Sequence, residues 1–217
     1  MLRRIVPYAI LHFLLSACAL TVDTIDVQYK SGPATTIVPA EESIVVDLDV
    51  RDVRTSYLDR VSSKKNGYGM EMAAIVSKRD VRSMVIDAFR TELKQRGFSI
   101  GESSVTVQAN IHKFYSDFKV GFFSGESVGE VTFFVQVQGL DSRPFHAETY
   151  TGEGEITGVM MMGGENAKKS IELAFAKAVR KVVTDERFIQ AILKAHSTAS
   201  SSGSGEEPTK PETVPTS

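Results

Sequence analysis

The 217-residue sequence predicts an α+β fold, a two-layer sandwich in which a mainly antiparallel sheet carries two amphipathic helices on one face. Three observations carry that prediction. Alternating apolar and polar residues recur at 44–52, 105–112 and 131–138, the period of a half-buried strand. Two segments repeat apolar residues at 3,4 spacing, the period of a helix lying on a core. The last three strand-like runs follow one another across short Gly- and Pro-bearing connections, which implies an antiparallel meander.

The chain begins with Met1-Leu2-Arg3-Arg4, a basic stretch, followed by an apolar run from Ile5 to Leu15. That is the layout of a secretory leader, and the run is far below the roughly 20 residues a membrane span requires. Leu15-Ser16-Ala17-Cys18 narrows the reading to a bacterial lipobox, in which Cys18 is acylated and residues 1–17 are removed. Cys18 is also the only cysteine, so no internal disulfide forms in a compartment where disulfides persist. Acyl chains contribute about 0.8 kcal/mol per buried CH₂, so several of them make a lasting anchor. Ala19 follows the cysteine, where enteric bacteria use aspartate to retain lipoproteins at the inner membrane. The expected location is therefore the periplasmic face of the outer membrane. Cleavage leaves 200 residues and removes Arg3 and Arg4, which takes the net charge from −2 to −4. A weakly acidic chain has no footprint for nucleic acid.

Residues 18–42 contain Gly32-Pro33 and Pro39 and show no sustained period; they read as the acylated cysteine and a flexible tether. The folded domain is expected over 43–195. It opens with Ile44 to Asp52, where Ile44, Val46, Leu48 and Val50 share a face. A polar loop with Asn66-Gly67 leads to a weaker strand from Tyr68 to Val76. Ser77 then serves as an N-cap with Asp80 three residues on, and the helix stripes Val81, Met84, Val85, Ala88, Phe89 and Leu93. Arg96 and Gly97 close it.

The meander follows. Val105, Val107, Ala109 and Ile111 form one buried face; Val131, Phe133, Val135 and Val137 form the next. Phe145 to Thr157 alternates weakly and is rich in Thr and Glu, as a solvated sheet face or an edge strand is. Gly121–Gly125 and Leu140–Pro144 are the connections. A second helix starts near Glu165 and stripes Ile171, Ala174, Phe175, Ala178, Val179 and Val182; a short third one carries Phe188, Ile189, Ile192 and Leu193. From His196 to residue 217 the Ser-, Pro- and Glu-rich composition predicts disorder.

The block Ser77-Lys78-Arg79-Asp80 with its helix through Phe89 and Leu93 to Gly97-Phe98 resembles the YajG family of bacterial lipoproteins. So do Tyr150 and Gly154, Asn166-Ala167, and Val182-Val183-Thr184-Asp185 before Phe188-Ile189. More distantly, the leader and element order are similar to those of the LPS-assembly lipoprotein LptE. The first resemblance implies a lipoprotein without established chemistry; the second implies a lipid or lipopolysaccharide handling factor.

Catalytic motifs fare poorly. Gly125-Glu126-Ser127-Val128-Gly129 fits G-x-S-x-G, with Asp141 and His146 in hydrolase order, but a nucleophile elbow needs a strand before the serine and a helix after it. Gly152-x-Gly154-x-x-x-Gly158 misses the dinucleotide fingerprint and sits in a strand. Gly163-Gly164 ahead of the second helix has the position of an anion site. His112, His146 and His196 show no metal-ligand spacing, and no cofactor is expected. Apolar residues at predicted surface positions are more informative: Phe122 and Phe123 in a hairpin connection, Phe134 on the polar face of its strand, and the adaptable run Met160-Met161-Met162. They either cover the open sheet face or fold back on the core, or else form a contact site for an envelope protein, lipid or glycan. The expected function is a non-catalytic, lipid-anchored periplasmic binding or scaffold protein.

Overall fold

The computed structural model describes residues 20–32, 44–121 and 124–202. The strands are β1 (Asp23–Ile25), β2 (Val45–Asp52), β3 (Ser62–Lys65), β4 (Glu71–Ser77), β5 (Ser99–Ile100), β6 (Thr106–Lys119), β7 (Gly125–Gln138) and β8 (Pro144–Val159). The helices are α1 (Val81–Gln95), between β4 and β5, then α2 (Gly164–Thr184) and α3 (Glu186–Ser202). Five strands form the main sheet in the order β5-β2-β6-β7-β8; the other three form a small sheet ordered β1-β4-β3. The meander β6-β7-β8 is antiparallel, as its alternation predicts. Both sheets are nonetheless mixed, because β2 runs parallel to β5 and β6, and β1 runs parallel to β4. A parallel pair requires a long crossover, and α1 lies within the one that joins β2 to β6.

The helices share one face of the main sheet. Phe89 of α1 and Phe175 of α2 both meet Phe133 of β7 edge-on, at centroid distances of 5.6 and 6.4 Å, and Phe114 meets Phe175 at 5.4 Å. These rings are buried, each worth roughly 1.5–3 kcal/mol of transfer free energy. A bulge at His112-Lys113 lets β6 keep facing this core: two residues oppose Thr132, and the inward set passes from Ile111 to Phe114. Beyond the bulge β2 ends, and the Val61 carbonyl accepts the Ser116 N–H at 2.8 Å, bringing the small sheet against β6.

α2 lies close on β7 and β8 because both sides of that contact are small. A Cβ on Gly129 would sit 2.4 Å from the Ser170 carbonyl oxygen, and one on Gly154 would sit 2.1 Å from it. The helical stripe facing these glycines is Ala167, Ser170, Ala174 and Ala178, all buried. α1 starts one turn later than its sequence suggests. Asp80, not Ser77, is the N-cap, its carboxylate accepting the Ser83 N–H at 2.8 Å; Ser77 remains in β4. Gly97 takes the left-handed conformation that ends the helix, φ +97°.

Two expectations at the ends of the domain are corrected. The segment read as tether includes residues 20–32, and these are docked. Ile25 and Val27 are buried, the Tyr29 hydroxyl donates to Glu92 of α1 at 2.5 Å, and the Gln28 N–H donates to Glu172 of α2 at 2.9 Å. Residues 33–42 of the expected tether lie outside the described residues. At the other end α3 continues to Ser202, seven residues past 195; Ser197, Thr198, Ser200 and Ser201 return their hydroxyls to backbone carbonyls of the preceding turn. The polar loop before β4 also contains a strand, β3, which pairs with β4 around the Asn66 turn.

Candidate functional site

Because α1, α2 and α3 lie on one side, no helix among the described residues covers the other side of the main sheet. Register sets its composition: Asn110, Phe134 and Thr149 align across β6, β7 and β8, flanked by Gln108–Gln136–Ala147. Thr132 and Thr151 share a hydroxyl–hydroxyl bond at 3.0 Å, and Gln108 donates to Asp49 of β2 at 3.3 Å. Phe134 is half-buried by these neighbours, and the His112 ring meets it edge-on at 6.5 Å. The arrangement is an aromatic set among amides and hydroxyls, chemistry suited to a polar surface with apolar patches.

A second feature occupies the end of the sheet where β6 and β7 connect and β8 ends. Gly125 pairs with Val159, and Gly69 of the β3–β4 turn approaches Val120. A groove of about 670 Å³ opens here between Asp23, Lys64, Lys65, Met72 and the run Met160–Gly163. Met160 and Met161 are 82% and 79% exposed. Met162 differs from its expected exposure: it is half-buried and packs against the core. Asp23 defines the floor chemistry. It accepts the Gly164 N–H at 3.0 Å and pairs with Lys64 at 2.8 Å. Burial works to raise its pKa, but the Lys64 ammonium and the Gly164 N–H outweigh it and hold the carboxyl below its ordinary range. The N–H groups at this helix start are therefore met by the protein's own carboxylate.

The hydrolase pattern dissolves in the fold. Ser127 sits within β7, fully buried, and its hydroxyl lies 3.0 Å from that of Ser116 and 2.9 Å from that of Ser170; the latter two are 2.8 Å apart. Ser127 also donates to the Asn166 carbonyl at 3.2 Å. This triangle satisfies three hydroxyls beneath α2 and leaves Ser127 without a general base. His146 is partly buried against Phe188. Its Nε2 lies 2.8 Å from the Tyr150 hydroxyl, which donates to Asp185 at 2.8 Å. Desolvation holds the His146 pKa below its ordinary value. Asp185 is pulled down to about 2, chiefly by hydrogen bonding from Arg187, which folds back on it at the α2–α3 junction.

Of the residues read as candidates, the structure places Phe134 on the bare sheet face and Met160–Met162 at the groove, two separate places. Cys18, Phe122 and Phe123 lie outside the described residues. The docked N-terminal strand was missed, although Ile25, Val27 and Tyr29 alternate and would have signalled it. Among the described residues, no group of three or more His, Cys, Asp or Glu is placed to hold a metal ion. Nor is any described helix long and apolar enough to cross a membrane.

A family model described as "Uncharacterized lipoprotein" matches residues 33–193. No curated protein matches the chain. Among solved structures, a Xanthomonas campestris protein of family DUF330 aligns with a TM-score of 0.51 at 11% identity, over 85% of this chain and 100% of its own. A neuraminyllactose-binding hemagglutinin homolog from Helicobacter pylori aligns with a TM-score of 0.50 at 8% identity, over 80% of this chain and 100% of its own. A minor lipoprotein from Acinetobacter baumannii gives 0.43 at 6%, over 67% of this chain and 94% of its own. At these identities the first two likenesses are of fold alone.

Proposed function

Because this chain belongs to the uncharacterised lipoprotein family, we propose that it is a non-catalytic binding module of the cell envelope. Acyl chains on Cys18 hold it at the periplasmic face of the outer membrane, and the helix-free face of its sheet engages an envelope protein. The observation that supports this reading is the aligned row Asn110–Phe134–Thr149, an aromatic side chain displayed on a rigid ladder with polar groups around it. Such a face has the anatomy of an interface core with a polar rim. The leader and lipobox support the location, and Ala19 supports the outer membrane over the inner.

The test uses the full-length acylated protein in intact cells, with a photo-crosslinking residue at position 134 and a matched one at Leu173, which is exposed on the helical layer. A protein adduct of defined mass from position 134 and none from 173 is the expected result. Equal adducts from both positions, or none from 134, would overturn the reading. Retention of lipid or glycan alone would favour the ligand-handling alternative. Palmitate labelling that survives Cys18→Ser would remove the anchor.

A further inference from the structure

We infer that the methionine-bearing end of the domain lies on the bilayer that holds Cys18, so that the anchored domain sits against the membrane and not at the end of a flexible leash. The inference rests on the acylation of Cys18 proposed above. Its first support is covalent. Leu20 is described and β1 begins at Asp23; three residue steps join Cys18 to Thr21 on the groove wall and reach at most about 11 Å, so chain length ties the acylation site to that end. β1 is itself held by β4, Lys64 and Gly164, which leaves little freedom between the acylated residue and the folded domain.

The second support is the distribution of apolar surface. Thirteen large hydrophobic residues are exposed among those described, and eight belong to the N-terminal lead, the β3–β4 hairpin, the β6–β7 hairpin and the β8–α2 loop. Tyr68 is 90% exposed and Leu20 is 62% exposed, alongside Met160 and Met161. Contacts gather these four segments at one end: Gly69 against Val120, Gly125 against Val159, and Thr21 and Met72 around the same groove as Met160. A patch of flexible methionines with a tyrosine at its margin matches an interfacial zone, where apolar groups sink about 5–10 Å into the headgroup boundary and aromatic rings sit at headgroup level. The two lysines that line the groove are paired, Lys64 with Asp23 and Lys65 with Asp117 at 2.6 Å, so the groove itself offers lipid its apolar side chains.

The experiment reconstitutes the full-length acylated protein into phosphatidylethanolamine–phosphatidylglycerol vesicles, carrying an environment-sensitive fluorophore through Met161→Cys; the native cysteine is blocked by its acyl chains. A second preparation carries the label through Leu140→Cys, exposed in the β7–β8 turn. Brominated lipids are expected to quench the label at 161 at least three-fold more than the label at 140. Equal quenching in protein that floats with the vesicles would overturn the inference while leaving the anchor intact. A label at 161 shielded from both brominated lipid and iodide would overturn it too, since something other than bilayer then covers the groove. Protein that lacks the acyl mass and fails to float would overturn the anchor itself, and with it this occupant. A Tyr68→Cys label, on a side chain with few contacts to lose, repeats the measurement should Met161→Cys fold poorly.

Discussion

The carboxylate of Asp23 accepts the backbone N–H of Gly164 at 3.0 Å, so the first strand caps a helix that begins 141 residues later. Lys64 completes the tie from β3. Replacing Asp23 with alanine removes both partners and is expected to cost about 1–2 kcal/mol in urea denaturation. Amide exchange should accelerate first in residues 23–29. The folded carboxyl has a lowered pKa, so its contribution is complete above the unfolded value near 3.8 and is lost as pH falls through the folded value. The gap between wild type and Asp23→Ala should therefore close below pH 3.8. A gap that persists undiminished at lower pH would count against the ion pair.

Gly154→Ala should be among the costliest single-methyl additions in the domain. Its Cβ would stand 2.1 Å from a backbone oxygen of α2, and backbone does not swing aside as a side-chain tip does. A loss of about 1–3 kcal/mol or more is expected. Gly67→Ala is the control, since nothing lies within 4 Å of its added carbon, and it should stay within about 0.5 kcal/mol of wild type. Equal urea midpoints for the two variants would mean that α2 does not rest on that glycine.

His146 should make the fold sensitive to mild acid. Desolvation lowers its folded pKa below the unfolded value of 6.5, with Asp185 opposing that shift and Arg187 adding to it. The unfolded chain then takes a proton before the folded one does. Stability is full above 6.5 and declines as pH drops from there towards the folded value. Asp185 titrates near 2, outside this window, so it does not contribute to the slope. Urea midpoints at pH 7.5, 6.0 and 5.0 should fall for wild type and fall less for His146→Gln.

Ser127 should behave as a structural hydroxyl. Ser127→Ala leaves the Ser116–Ser170 bond of 2.8 Å in place and is expected to cost about 0.5–1.5 kcal/mol. A fluorophosphonate probe should leave Ser127 of the native protein unlabelled, because the hydroxyl is fully buried. Labelling detected by peptide mass spectrometry would show that the triangle opens.

The legible parts of this fold were those written in long, local periods. The alternation through Val131, Phe133, Val135 and Val137 announced β7, and the 3,4 stripe through Ile171, Phe175 and Val182 announced α2. The family was legible too, since the matching model spans the blocks that carried the resemblance. What escaped was short or depended on distant partners. β3 reads Ser-Ser-Lys-Lys, and nothing local says that Ser62 and Ser63 will be buried against β4 and β6. β1 is three residues long, and only its alternation with Val27 and Tyr29 hints at a strand. Asp80 displaced Ser77 as N-cap because β4 extends to hold Ser77 in its ladder, a tertiary preference invisible in the tetrapeptide. For the candidate site, Met160 and Met161 were legible as misplaced hydrophobes, whereas their nearness to Asp23 follows only from the β1–β4 pairing.

The later turns of α3 lie beside the β7–β8 turn, where Ala195 and Thr198 line a hollow with Leu140 and Phe145. The N-terminal lead sits at the other end of β7, whose fourteen residues measure about 45 Å. A reporter attached at Ser197, exposed on α3, would thus sit at the end of the domain opposite the methionine groove and leave that end unobstructed.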